Sequence, residues 1–188
     1  MSNQASKLVL ASSSPRRREL LAQAGYTFEV CPAHIDETRG VNEDPSAYVA
    51  RLALEKAHAI HAQHPGAVVL GADTTVVLNG EVLNKPHNLE EARHMLLALS
   101  GRTHQVLTGI AVVADHIERT HVETTNVVFA PIPEDELATY LATGDSLDKA
   151  GAYGIQGYAA RWIPRIEGDY FNVMGLPVAA TVRLLAGH

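Results

Sequence analysis

Three hydroxyls followed by three guanidiniums stand in one run, Ser12-Ser13-Ser14-Pro15-Arg16-Arg17-Arg18. Arginines, hydroxyls and free backbone N–H groups at a helix start make a place for a polyanion, phosphate above all. Without an anion the arrangement is unfavourable, because arginines in a first helical turn face the positive end of the helix dipole. A second set of polar residues lies further on. Asp73 closes the apolar run Val68–Leu70 and Gly71-Ala72, Lys85 follows a turn, and Glu37 sits in a polar loop beside Asp36. Lys56 falls on the apolar stripe of a helix, where it either snorkels to the edge or points into an anion site. The segment Asp148-Lys-Ala-Gly-Ala-Tyr-Gly-Ile-Gln-Gly157 adds Lys149, a phosphate donor, and Gln156, an amide able to read a base edge, among glycines that permit close backbone approach.

Cations and carboxylates of this kind suit a phosphorylated substrate with a divalent metal. Cations neutralise charge developing on phosphoryl oxygens. A carboxylate can orient and deprotonate water. Mg²⁺ commonly takes one or two carboxylates plus substrate phosphates. Other chemistries lack their patterns. There is no Walker A loop, no dinucleotide fingerprint and no nucleophile elbow around Ser12–Ser14. His58, His61 and His64 fall on the exposed end of a helix and read as surface residues.

These side chains must be positioned by alternating strands and helices. Leu8–Ala11 reads as a strand, followed by a helix with Ser14 as its N-cap, Pro15 first inside and Gly25 as its stop. Phe28–Cys31 reads as a strand, and Ser46 as the cap of a helix reaching Gln63, with Val49, Leu52, Ala53, Ala57 and Ile60 on its stripe. Val68–Asp73 reads as a buried strand ending in its carboxylate. Thr75–Leu78 and Glu81–Leu83 flank the hairpin signal Asn79-Gly80. A helix over 89–99, a strand over 105–114, a strand over 123–129 and a helix over 133–142 follow. Strands at 163–166 and 170–173 and a short terminal helix complete the chain. The expected class is α/β with a mixed sheet.

The 188 residues are 46% hydrophobic but only 5% aromatic, so aliphatic side chains are expected to fill the core. A formal net charge of −6 argues against a protein that coats nucleic acid. Cys31, the only cysteine, is expected to be a buried structural thiol in a reducing cytosol. Residues 1–7 lack the apolar core of a signal peptide, and no apolar run is long enough to span a membrane.

Six stretches together resemble the Maf-like nucleotide pyrophosphatases, in order and over nearly the whole chain. They are Leu10–Leu21, Arg51-Leu-Ala53 with Lys56-Ala57, Gly71-Ala-Asp-Thr74, Lys85-Pro86, Ser100-Gly-Arg-Thr-His104 and Asp148–Gly157. The resemblance implies one domain of two lobes around a cleft, with the inosine-triphosphate-pyrophosphatase type of α/β fold. It implies a cytoplasmic hydrolase, often a homodimer, that cuts a nucleoside triphosphate to monophosphate and pyrophosphate by metal-assisted water attack on the α-phosphorus. By that likeness Asp73 is the catalytic base. Ser12, Ser14, Arg17, Glu37, Lys56, Lys85 and Lys149 handle phosphate or metal, with Glu37 and Asp73 holding Mg²⁺ or Mn²⁺. Arg16, Thr74 and Gln156 stand at the three specificity positions and match the branch acting on dTTP and UTP. The branch acting on 7-methyl-GTP carries Trp, Gln and Glu there. A Trp could stack on a cationic purine, and a Glu could accept from guanine N–H groups. Hydrolysis of 7-methyl-GTP, or a non-catalytic nucleotide-binding role in septation, are the alternatives.

Overall fold

In the computed structural model, residues 7–186 are described, so the reading of the opening residues falls outside them except at Lys7. The element order is β1 (Leu8–Leu10), α1 (Pro15–Gln23), β2 (Glu29–Val30), α2 (Pro45–His61), β3 (Val68–Leu78), β4 (Glu81–Leu83), α3 (Leu89–Leu99), β5 (Thr103–Ala114), β6 (Ile117–Val128), α4 (Glu134–Thr143), β7 (Arg165–Glu167), α5 (Tyr170–Met174) and α6 (Val178–Leu185). The strands order as β2-β1-β3-β5-β6-β7, with β4 beside β3. β1 pairs in parallel with β2 and β3, whereas β4 on β3 and β7 on β6 are antiparallel. The mixed sheet expected of the sequence is present.

Three local expectations are corrected. β3 does not end at Asp73. The β-branched run Thr74-Thr75-Val76-Val77 continues it to Leu78, so Asp73 sits in mid-strand. The hairpin beyond does form at Asn79 and Gly80, both at positive φ (53° and 84°). The cap of α2 is Asp44, not Ser46. Its carboxylate accepts from the N–H groups of Ser46 (2.9 Å) and Ala47 (3.3 Å), and Pro45 takes the first helical position. Tyr170–Val173, expected as a strand, belongs to helix α5. Asp169 explains it, because its Oδ1 accepts from the N–H groups of Phe171 (2.7 Å) and Asn172 (3.1 Å) and so starts a helical turn.

The chain separates into two compact units. The first comprises the described residues up to Asp73, Thr108–Glu123, and those from Gly175 onward. Its core is aliphatic, with Val9, Ala11, Ala53, Ala57, Ile60, Val69, Ala111 and Val113. Cys31 is only partly buried, packed against that core, where a buried thiol was expected. Two glycines set how closely α2 packs. A Cβ on Gly71 would stand 2.1 Å from the Ala53 carbonyl oxygen, and one on Gly109 would stand 2.3 Å from that of Val49. The helix backbone therefore rests directly on the strands, with no side chain between them.

The second unit is Thr74–Leu107 with Thr124–Met174. Its core is not purely aliphatic. Phe129, Tyr140, Tyr153 and Trp162 are buried there beside Leu96, Leu99 and Leu137, so most of the buried aromatics lie in this unit. Most of their contacts are edge-on, as between Phe129 and Tyr153 at 4.8 Å between centroids.

Candidate active site

The start of α1 forms as its residues require. Ser14 Oγ accepts the N–H of Arg17 at 3.4 Å, and Pro15 opens the helix. Ser12, buried near the start of the strand-to-helix turn, accepts from the N–H of Ser14 (3.2 Å) and from Nη1 of Arg17 (3.1 Å). Arg17 Nε donates to the Gly175 carbonyl at 2.8 Å. The guanidinium is thus fixed in a frame rather than waving in solvent. Burial lowers Arg17 from its ordinary value. The Asp73 charge opposes that, Arg16 adds to it, and Glu37 opposes it. A guanidinium remains cationic through such a shift. Arg18 is exposed, as expected of a residue outside the motif.

Lys56 settles the choice left open by its place on the apolar stripe. Its ammonium turns inward and donates to Asp73 Oδ1 and Glu37 Oε1, each at 2.7 Å. Lys56 and Asp73 are each 8% exposed, whereas the Glu37 side chain is 55% exposed. Burial pushes the Asp73 carboxyl up from the usual range; the charges of Lys56 and Arg17 pull it back, as does the hydrogen bond from Lys56, and Glu37 pushes it further up. A carboxylate raised by burial is more basic than one in water, which suits it to accept a proton. Two carboxylates sharing one ammonium also offer oxygen donors to a hard cation. Among the described residues no group of three or more His, Cys, Asp and Glu could hold a metal ion.

Ser12, Ser14 and Arg17 thus form one hydrogen-bonded group and Glu37, Lys56 and Asp73 another, both in the first unit, with the Arg17 charge acting on Asp73. Arg16, half-buried in the first turn of α1, belongs to it too. Thr74, Lys85, Lys149 and Gln156 belong to the second unit. Thr74 follows Asp73 along β3 and so points to the opposite face. Lys85 and Gln156 are exposed. Lys149 is tied to its own loop, donating to the Asp145 carbonyl (2.6 Å) and Asp148 Oδ1 (2.7 Å).

Residues 7–188 match the family described as Maf-like protein. The chain belongs to that family. Its relatives include the dTTP/UTP pyrophosphatases of Symbiobacterium thermophilum and Myxococcus xanthus, each 53% identical over 95% of this chain and covering 92% and 90% of those proteins. The dTTP/UTP pyrophosphatase of Koribacter versatilis is 49% identical over 95% of this chain and 92% of its own length. Among solved structures, a HAM1 protein from Coxiella burnetii matches with a TM-score of 0.58 at 16% identity, over 97% of this chain and all of that one. That likeness is one of fold, and it agrees with the mixed α/β architecture.

This Maf-like chain also holds side chains around the site that sequence reasoning gave no role. Tyr48 and Arg51 on α2 bond to the main chain of the Glu37 loop, at Glu37 O (2.9 Å) and Thr38 O (3.1 Å). The available signal was spacing, since Tyr48 and Lys56 lie two helical turns apart on one buried face. The histidines of α2 are paired, and His61 is only partly exposed rather than the surface residue expected. His58 meets Glu118 at 2.7 Å, and His61, less exposed, meets Asp115 at 3.4 Å. No described helix is long and apolar enough to cross a membrane.

Proposed function

We propose that this Maf-like protein is a nucleoside triphosphate pyrophosphatase acting on dTTP and UTP. The observation that carries the reading is the buried Asp73 carboxylate held by Lys56 beside Glu37 and Arg17. It occurs in a chain about half identical, over nearly its full length, to proteins named for that activity.

In this reading Asp73 takes a proton from the water that attacks the α-phosphorus. The bond from the α-phosphorus to the bridging oxygen breaks, and pyrophosphate leaves with the electron pair. Arg17, fixed by Ser12 and Gly175, presents a preorganised cation to the phosphates. Ser12 and Ser14 shape the helix start around them. Lys56 meets both carboxylates, opposes the upward push of burial on Asp73, and can share its protons with a phosphate oxygen. By the family resemblance, Lys85 and Lys149 are assigned to the phosphates, and Arg16, Thr74 and Gln156 to the choice of pyrimidine.

The donor set fits Mg²⁺ or Mn²⁺. Glu37 and Asp73 would hold the cation, with phosphate oxygens and water completing its shell, and when bound it would neutralise charge on the triphosphate.

Release of pyrophosphate tests the reading. The purified protein with Mg²⁺ or Mn²⁺ is expected to release it from dTTP and UTP in preference to CTP and 7-methyl-GTP, with 5-methyl-UTP included as a modified pyrimidine. No release from any nucleotide of this panel would reject the enzyme, and release from 7-methyl-GTP alone would reject the pyrimidine assignment.

A further inference from the structure

Glu37 presents a difficulty for any role in holding a cation. It lies in residues 31–44, which have no helix or strand, and its side chain is more than half exposed. A carboxylate on an irregular loop is a poor ligand unless its backbone is held, because ordering the loop costs conformational entropy at the moment of binding.

Helix α2 supplies the hold. The Tyr48 hydroxyl donates to the Glu37 carbonyl, and Arg51 Nη2 donates to the carbonyl of the next residue, Thr38. The same guanidinium grips Glu43 with two prongs, Nε to Oε1 at 2.7 Å and Nη2 to Oε2 at 2.9 Å. Glu43 in turn accepts the N–H of Gly40 at 2.9 Å, and its carbonyl accepts from Arg39 Nε at 2.9 Å. Asp36 Oδ1 accepts the N–H of Thr38 at 2.9 Å, closing the near end of the loop. The hydrogen bond from Arg51 holds the Glu43 carboxyl down at about 2, so the grip persists across the physiological range. Glu55, one turn along α2, also meets Arg51 at 3.3 Å and orients it.

One helix therefore fixes Glu37 twice. Tyr48 pins its carbonyl, with Arg51 holding that of Thr38 beside it, and Lys56 meets its carboxylate. We infer that Arg51, acting with Glu43 and Tyr48, is a positioning residue that presents the Glu37 carboxylate to a divalent cation. Arg51 acts through the loop and touches no reacting atom. This rests on the pyrophosphatase reading for the cation's purpose, but the hold on the loop stands on geometry alone. Lysine cannot replace it, because only the guanidinium fork reaches a carboxylate with two prongs and a carbonyl together.

The test compares the wild-type chain with Arg51→Ala, Arg51→Lys and Tyr48→Phe, the last removing only the hydroxyl. Amide hydrogen exchange reads the loop directly. Arg51→Ala is expected to lose protection over residues 36–44 while α2 and β3 keep theirs. Mn²⁺ titrated into the protein with a non-hydrolysable dTTP analogue, followed by electron paramagnetic resonance, is expected to bind about ten-fold or more weakly, as for losses of residues that orient metal ligands. Arg51→Lys should resemble Arg51→Ala, and Tyr48→Phe should move both readouts in the same direction by less. In turnover, the Mn²⁺ needed for half-maximal rate should rise by the same factor, with most of the rate regained at saturating Mn²⁺. Unchanged loop exchange in Arg51→Ala, or Mn²⁺ binding within about two-fold of wild type, would overturn the inference. If the wild-type protein fails to turn over any nucleotide, the enzymatic reading falls, and exchange with Mn²⁺ binding still decides the role of Arg51.

Discussion

The Lys56 ammonium stands 2.7 Å from Asp73 Oδ1, with both side chains almost closed off from water. Removing the two partners has unequal consequences. Lys56→Met leaves a buried carboxylate without its cation, and breaking a buried pair in that way costs about 3–5 kcal/mol. Asp73→Asn removes the charge that is costly to bury and leaves Lys56 paired with Glu37, so its stability penalty should be smaller. Turnover is expected to fall in both variants, in Asp73→Asn by roughly a thousand-fold, within the range of a lost general base. Denaturant unfolding beside pyrophosphate release separates the two effects. An Asp73→Asn protein with near-normal turnover would remove Asp73 from the role of base.

The distance between Lys56 and Asp73 depends on a residue with no side chain. At Gly71 even a methyl group would press on the backbone of α2 at Ala53 and Ala57. Gly71→Ala should therefore push α2 off β3 and carry Lys56 with it. Overpacking of this kind costs about 1–3 kcal/mol, and more where backbone is the obstacle. Turnover should fall further than the stability loss alone explains. The check is the rate measured at a temperature where the variant is fully folded by circular dichroism. A folded Gly71→Ala protein with wild-type turnover would show that this close packing does not set the geometry of the site.

How much of this was legible in the sequence varied with the kind of signal. The Ser14 cap, the Pro15 start and the Asn79-Gly80 turn are local, and they form as read. The mixed sheet followed from the alternation of patterns. Lys56 was visible as a lysine on an apolar stripe, but its direction was not, because a helical wheel gives a face and not a partner. Asp73 reads as a strand end because a carboxylate after an apolar run looks like a stop, whereas the following β-branched residues carry β3 onward. Arg51 was legible only as part of a motif. Its partners Thr38 and Glu43 sit in a loop without periodicity, where sequence pattern says nothing of contacts. Tyr170–Val173 shows the same limit, since one cap from Asp169 outweighs a strand-like composition.

Base choice is expected to respond to three exchanges. Arg16→Trp, Thr74→Gln and Gln156→Glu introduce the residues that the family resemblance assigns to the 7-methyl-GTP branch at the three proposed specificity positions. Gln156→Glu replaces an amide, able both to donate and to accept, with an acceptor alone, which disfavours thymine and uracil carbonyls. A site left with unpaired polar groups can lose several orders of magnitude against the wrong base. The triple variant should lose dTTP and UTP turnover and gain relative turnover of 7-methyl-GTP, read as the ratio of kcat/KM values. An unchanged ratio would place base selection elsewhere.

The second unit carries a pH dependence of its own. His104 is 2% exposed, its Nε2 lies 2.7 Å from the Tyr153 hydroxyl, and its Nδ1 has no hydrogen-bond partner among the described residues. Its ring also meets Phe129 edge-on at 4.9 Å. Burial lowers His104 from 6.5 to about 4, and burial raises Tyr153, so the tyrosine keeps its proton. Between pH 6.5 and about 4 the unfolded chain binds a proton at this histidine that the folded chain refuses. Stability from this group is therefore complete above pH 6.5 and is lost as pH falls, by roughly 3 kcal/mol at the lower end. Denaturant midpoints of the wild-type chain and His104→Gln, taken from pH 7.5 to 4, should show the wild type losing more stability across that window. The carboxylates act alike in both proteins and cancel in the difference. Tyr153 belongs to the glycine-rich segment with Lys149 and Gln156, and its hydroxyl joins that segment to β5 through His104. Exchange over residues 149–157 should therefore rise in the wild type as pH approaches 4. Equal pH slopes in the two proteins would mean that His104 is protonated in the folded state as readily as in the unfolded one.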